Sequence, residues 1–437
     1  MYRKGFQSNL ESDADMKSGS REEKTGCFDK LGPGLTTGAA DDDPSGIATY
    51  SQAGAQFGFN MLWTVLFTYP LMVSIQIVSA HIGRVSGRGL ATNIRLYCPA
   101  PVLYGVITLL LLANTINIAA DLTAMGEALR LLIGGPAQLY ATGFGLLSLI
   151  SQVLIPYRYY VRLLKWLTLA LLAYFGVALV VHIPWCEVAL RTVMPHLSWK
   201  GEYITTVVAV FGTTISPYLF FWQASQEVEG QLATPGALPL IQAPEQAAVN
   251  LRRIKIDTYI GMGFSNVVAF FIILTAAVTL NLHGLTDIQT SAEAALALRP
   301  VAGEFAFLLF STGILGTGLL AIPVLAGSSA YAMAGCFGWK NSLERKFMEA
   351  KAFYSVVIVS TFAGMALSFN KIDPIKALYW SAVINGVISV PIMVVMMLLA
   401  SHKEVMGQFV IKPGLKIWGW LASLIMGIAV FFMLISF

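Results

Sequence analysis

Two short polar runs interrupt apolar sequence and carry oxygen atoms that could bind an ion. The first reads Asp41-Asp42-Asp43-Pro44-Ser45-Gly46, the second Gly212-Thr213-Thr214-Ile215-Ser216-Pro217-Tyr218. Each contains a proline, which lacks an N–H and clashes with the carbonyl four residues earlier. The carbonyls so freed are those of Ala40 and Thr213. With them stand the Asp43 carboxylate and the hydroxyls of Ser45, Ser216 and Tyr218, and neither run contains Cys, Met or His. Such a set selects a cation, and all-oxygen sites suit Mg²⁺, Ca²⁺ or Mn²⁺, whereas softer metals favour sulfur or imidazole. Asp41 and Asp42 either meet the ion, directly or through water, or form a hydrated acidic vestibule beside it.

The elements that must hold these runs are membrane spans. Of 437 residues, 56% are hydrophobic and 12% charged, and the mean hydropathy is +0.68; charged residues usually make up about 25% of a soluble domain. An ordinary soluble enzyme is excluded, and so is a single anchor carrying a large soluble domain. Apolar segments lie at 32–56, 58–81, 102–132, 138–156, 160–183, 203–225, 256–282, 304–334, 351–370, 376–400 and 414–436, which predicts eleven transmembrane helices. Residues 1–30 hold six basic and six acidic residues with no apolar core, as expected of a disordered cytoplasmic tail rather than a signal peptide. Cys27, Cys98, Cys186 and Cys336 are too scattered for a disulfide framework or a zinc cluster. The five histidines fall near span ends or in loops, which argues against a histidine metal site.

Basic residues set the orientation. With the N-terminus inside and eleven spans, 22 of the 28 lysines and arginines fall on inner segments, leaving only Arg130, Arg191, Lys200, Arg299, Lys371 and Lys376 outside. Ten or twelve spans would break the alternation. The net charge of +4 is thus a topology signal, and no nucleic-acid partner is needed to explain it. The C-terminus is expected outside, in a multi-pass protein of the cell's inner (plasma) membrane.

The two interrupted spans are the first and the sixth, five apart in order, so they enter from opposite faces. That geometry predicts an inverted repeat: residues 31–183 form one five-helix unit, 203–400 the second, and 412–437 an additional helix. Unpaired backbone at membrane depth persists only where it lines a cavity or is buried in protein. Broken segments at matching places in two halves point to a binding site near the midplane. Three aspartates there would be costly unless paired or hydrated, which again points to a cation.

The stretch from Gly32 to Ala91 resembles the Nramp family of divalent-metal transporters: GPG, then DPSGIATYSQAGAQFG, then SAHIGRVSGRGLA. Further similarity occurs at Asp121, at Asp257 and at SSAYAMAGCFGW (328–339). The resemblance implies an all-α, LeuT-like fold with spans 1 and 6 broken, and a metal site built on Asp43. The departures are informative. The family's aspartate-proline-glycine-asparagine is here Asp43-Pro44-Ser45-Gly46, so the asparagine ligand is lost to Gly46. Its methionine-proline-histidine is here Ser216-Pro217-Tyr218, so the thioether has become a hydroxyl. The acidic residue expected three positions after Asp121 is Ala124, and the family's second span-6 histidine falls on Gln223.

This pattern is similar to the Nramp-related magnesium transporters. Mg²⁺ sheds water reluctantly, and a site with smaller side chains and more oxygen admits a partly hydrated ion. The resemblance implies uptake of Mg²⁺, with Mn²⁺ tolerated, by alternating access and without proton coupling. The metal set is Asp43, Ala40, Ser45, Gly46, Thr213, Ser216, Tyr218, Asp42 and Gln223. Asp121 is expected to line a water path or to pair with a basic residue, Glu127 to lie nearer the outer surface, and Asn385 to bond between helices or touch the ion. Alternative readings are a proton-coupled Mn²⁺/Fe²⁺ importer of the ordinary Nramp kind, an amino-acid or organic-cation transporter on the same fold, and a non-transporting receptor or structural subunit. No catalytic constellation, cofactor or obligate protein partner is indicated; the metal is cargo.

Overall fold

The computed structural model describes residues 37–38, 40–155, 168–340, 342–343, 347–369 and 373–436. The predicted tail lies outside them, as does the first part of the predicted fifth span. Every regular element among the described residues is a helix. The long ones are α1 (Pro44–Phe57), α2 (Leu62–Ser86), α3 (Leu90–Tyr97), α4 (Ala100–Ile133), α5 (Ala137–Leu154), α6 (Leu172–Val180), α7 (Trp185–Val193), α8 (Gly201–Thr214), α9 (Pro217–Ala233), α10 (Ala247–Thr279), α11 (Ala306–Phe337), α12 (Lys351–Ser368), α13 (Pro374–Ser401) and α14 (Pro413–Ser436).

Nine stretches among the described residues are long and apolar enough to cross a bilayer. One of them, Pro44–Ser86, contains both α1 and α2, where the sequence predicts the end of span 1 and all of span 2. Gly58, at φ +57°, ends α1, a conformation that a side chain with a Cβ disfavours. Large apolar side chains such as Leu112, Leu139, Leu179, Leu398 and Phe431 remain exposed on the outside, as a lipid-facing surface requires.

The two breaks form where the sequence predicts them. Residues 40 and 41 are helical, Asp42 bends and Asp43 is extended (φ −70°, ψ 171°) before Pro44 opens α1. In the sixth span Ser216 is extended (φ −77°, ψ 131°) between α8 and α9. Proline alone does not produce a break: Pro70, Pro323 and Pro391 lie inside continuous α2, α11 and α13. At the two breaks the backbone finds other partners: Asp43 accepts the Gly46 N–H, Ser216 donates to Thr213 O and Tyr218 donates to Ala40 O.

Helix packing repeats across the two halves. α1 packs on α10 as α9 packs on α2, and α4 packs on α5 as α11 packs on α12. α4 and α11, and likewise α2 and α10, pack against each other. Glycines allow the closest approaches. A Cβ on Gly83 of α2 would lie 2.3 Å from the Ala224 carbonyl of α9, and one on Gly54 of α1 would lie 2.3 Å from the Ile273 carbonyl of α10.

Candidate metal site

Asp43 stands at the centre of the site because it caps a helix. Its Oδ1 accepts the Gly46 N–H (2.8 Å) and the Ser45 hydroxyl (2.7 Å), a helix N-cap of the usual kind. Oδ2 is left facing the other break, where the Tyr218 hydroxyl lies 3.4 Å away. That hydroxyl also donates to the Ala40 carbonyl at 3.1 Å. One phenol thus joins a carbonyl freed by Pro44 to the carboxylate that caps α1, across 175 residues or more of sequence.

The second freed carbonyl is also engaged. Ser216 turns back and donates to Thr213 O at 2.7 Å and Gly212 O at 3.0 Å. A carbonyl oxygen has two lone pairs, so Thr213 O keeps capacity for a cation, while the Ser216 proton points at its own helix. Gly46 sits beside Thr213: a Cβ there would lie 3.1 Å from Thr213 Oγ1 and 3.4 Å from the Tyr50 ring. Gln223, one and a half turns into α9, accepts a hydrogen bond from Thr37 in the first half of span 1 and leaves its Nε2 without a partner.

The three aspartates do not converge. Asp41 Oδ2 and Asp42 Oδ1 both approach Ser265 Oγ on α10, at 2.6 and 2.9 Å, away from the capping oxygens of Asp43. Asp41, Asp42, Asp43 and Asp121 are each at most 2% exposed, so these carboxyl groups are sealed from solvent. No group of three or more His, Cys, Asp or Glu side chains gathers for a metal among the described residues. The donor set that faces both breaks is one carboxylate with carbonyls and hydroxyls.

Asp121 on α4 lies within electrostatic reach of Asp43. Neither of its oxygens has a partner, and both side-chain atoms of Asn117, one turn earlier, are also unpartnered. The next turn is bonded across: Asn114 donates to Leu325 O, Ser328 Oγ and Ser329 Oγ of α11. Gly318 of α11 brings this seam to the first break, since a Cβ there would lie 2.5 Å from Met125 Sδ and 3.3 Å from Pro44 Cγ. Asn385 is buried in α13 with neither amide atom bonded. Glu127 pairs with Arg130 at 3.1 Å on a partly exposed face. Asp257 belongs elsewhere, 3.9 Å from Arg253, which also binds Glu227.

Sequence reasoning did not find Ser265, Thr37 or Asn117. Ser265 is a lone serine in a long apolar helix, and only its placement against the aspartate run marks it. Thr37 lies in the LTTGAA stretch before the break, where nothing in the spacing favours it over Thr36. The buried, unbonded state of Asn117 is a property of packing alone.

A family model described as natural resistance-associated macrophage protein-like, Nramp, matches residues 34–436. The chain belongs to the Nramp family. A relative from Deinococcus radiodurans, named divalent metal cation transporter MntH, is 26% identical over 407 residues, covering 90% of this chain and 87% of the relative. The Eremococcus coleocola manganese transporter superposes with a TM-score of 0.73 at 18% identity, covering 97% of this chain and 90% of that one. A nucleobase-cation-symport-1 family transporter superposes at 0.56 with 15% identity, covering 93% and 92%. The fold is therefore the LeuT-like arrangement that the sequence predicts. This Nramp chain closes its two breaks with a serine that donates back to the end of α8 and a tyrosine that reaches across.

Proposed function

We propose that this protein carries divalent metal cations across the cell's inner membrane, that Mg²⁺ is its main cargo with Mn²⁺ tolerated, and that uptake proceeds down the electrochemical gradient without proton coupling. One observation carries the reading: Asp43 Oδ2 and the Ala40 carbonyl lie together between two interrupted helices, with the Tyr218 hydroxyl bonded to them. Such donors suit a hard ion, and Mg²⁺ sheds its water reluctantly. The family and the printed function of its Deinococcus relative support the divalent cation. An inside-negative potential of ~100 mV favours entry of two charges by about 4.6 kcal/mol.

In this mechanism the ion enters from outside and settles between the breaks. The first half of span 1 then swings from α10 to open the inner path. The N-terminus is cytoplasmic, and residues 31–183 and 203–400 act as the two inverted units. The test is Mg²⁺ flux into proteoliposomes with a pH dye inside. Robust Mg²⁺ entry with no acidification is expected. Acidification that tracks Mn²⁺ entry, with little Mg²⁺ flux, would establish the proton-coupled manganese or iron importer instead.

A further inference from the structure

We infer that the Tyr218 hydroxyl is a stand-in for the ion: it bonds two oxygens that would hold a divalent cation, and binding of the cation must displace it. The inference rests on the divalent-cation reading above and assigns Tyr218 a role opposite to that of a ligand. The Tyr218 side chain is fully buried. Its hydroxyl lies 3.1 Å from Ala40 O and 3.4 Å from Asp43 Oδ2. Both neighbours are acceptors, and a phenol has one proton to offer them. The positive end of the O–H dipole therefore points into the space between a carbonyl and a carboxylate.

A cation held by Ala40 O and Asp43 Oδ2 would occupy that same space. Proton and metal cannot share it, because the O–H hydrogen and the ion repel at contact distance. For the phenol to act as a ligand instead, its proton would have to turn away from the two nearest acceptors. Asp43 Oδ1 offers no alternative, since the Gly46 N–H and Ser45 hydroxyl already hold it. Nor does Ser216 compete for these atoms, because its proton is committed to Gly212 and Thr213. Tyr218 is thus the one described side chain whose hydrogen bonds join the two breaks at Asp43 and Ala40.

Such a stand-in has a kinetic consequence. A carrier must return empty after releasing its ion, and an empty gap with an unpaired carbonyl and carboxylate is costly to bury. A hydroxyl that satisfies both lets the empty site close. Removing it should strengthen ion binding while hindering the empty return.

The experiment compares wild type with Tyr218→Phe in detergent and in proteoliposomes, using Mn²⁺ and Mg²⁺ as probes. Calorimetry should show the variant binding Mn²⁺ about five- to tenfold more tightly, the effect of losing one competing hydrogen bond of ~1 kcal/mol. Net Mg²⁺ uptake into empty vesicles should fall several-fold, and by more than exchange of Mn²⁺ between loaded compartments, because exchange skips the empty return. In an Asp43→Asn background, the added Tyr218→Phe change should give no gain in affinity. Should the phenylalanine variant aggregate, metal-dependent shifts in Tm of Tyr218→Leu read the same affinity order. Equal or weaker binding by the variants, with wild type binding normally, overturns the inference and leaves the transport reading intact. No saturable binding by wild type overturns both.

Discussion

Gly46 and Thr213 face each other across the gap between the breaks, with 3.1 Å between the place of a Gly46 Cβ and Thr213 Oγ1. That is tighter than ordinary contact, so a side chain at residue 46 makes Thr213 give by a few tenths of an ångström and stands between the two breaks. Gly46→Asn combined with Ser216→Met restores an amide and a thioether at the two breaks. The double variant is expected to raise the Mn²⁺-to-Mg²⁺ uptake ratio about tenfold, equivalent to ~1.4 kcal/mol of discrimination. Competition of cold Mg²⁺ against Mn²⁺ uptake measures it. An unchanged ratio would place selectivity elsewhere.

Asp43 has two roles, and two substitutions separate them. As the N-cap of α1 it bonds the Gly46 N–H, and as a carboxylate it supplies charge. Asn caps nearly as well as Asp, whereas Ala loses about 1 kcal/mol. Asp43→Asn and Asp43→Ala should both lower Mg²⁺ uptake by about a hundredfold, ~2.8 kcal/mol of lost ion binding. Only Asp43→Ala should also lower the Tm. Retained flux in Asp43→Asn would remove the charge from the mechanism.

The places of the breaks could be read in the sequence because a proline flanked by short polar residues has a local consequence: it frees a carbonyl, and the neighbouring hydroxyl or carboxylate bonds backbone groups at the break. Ala40 and Thr213 were identifiable for that reason. What the hydroxyls do with those carbonyls was not, since Ser216 bonding backward and Tyr218 bonding across differ only in side-chain direction. Local spacing was equally silent on Asp41 and Asp42, which turn to Ser265, a residue 223 or more positions away. The all-helical, membrane-spanning class was legible from hydropathy. The exchange of packing partners, α1 on α10 and α9 on α2, depends on glycines at Gly54 and Gly83 whose neighbours no sequence pattern identifies.

Asp121 is a buried carboxyl group with neither oxygen bonded, a state usually destabilising by about 1–3 kcal/mol. Asn fills the same volume without the charge. Asp121→Asn is expected to raise the Tm by a few degrees and to reduce Mg²⁺ uptake several-fold, the exchange of stability for activity common at working sites. Differential scanning fluorimetry and flux on the same preparation give both numbers. A lower Tm with unchanged flux would make Asp121 a structural residue.

Gly38 in the first half of span 1 rests directly on α10: a Cβ there would lie 2.2 Å from the Gly261 carbonyl and 2.4 Å from its carbon. Backbone atoms cannot yield as a side-chain tip can, so Gly38→Ala must lift the half-helix from α10. Lifting it strains the bonds from Ser265 to Asp41 and Asp42 and the bond from Thr37 to Gln223. If this half-helix is the element that swings during transport, the substitution shifts the resting population toward its displaced position. Amide exchange in a peptide spanning residues 37–50 should then speed up about tenfold, an opening easier by ~1.4 kcal/mol. The α14 peptide, remote from the contact, should keep its protection. Mg²⁺ uptake should fall several-fold because the sealed state is less populated. Unchanged exchange in the 37–50 peptide would show that the half-helix is held without the Gly38–Gly261 contact and would remove that contact from the gating step.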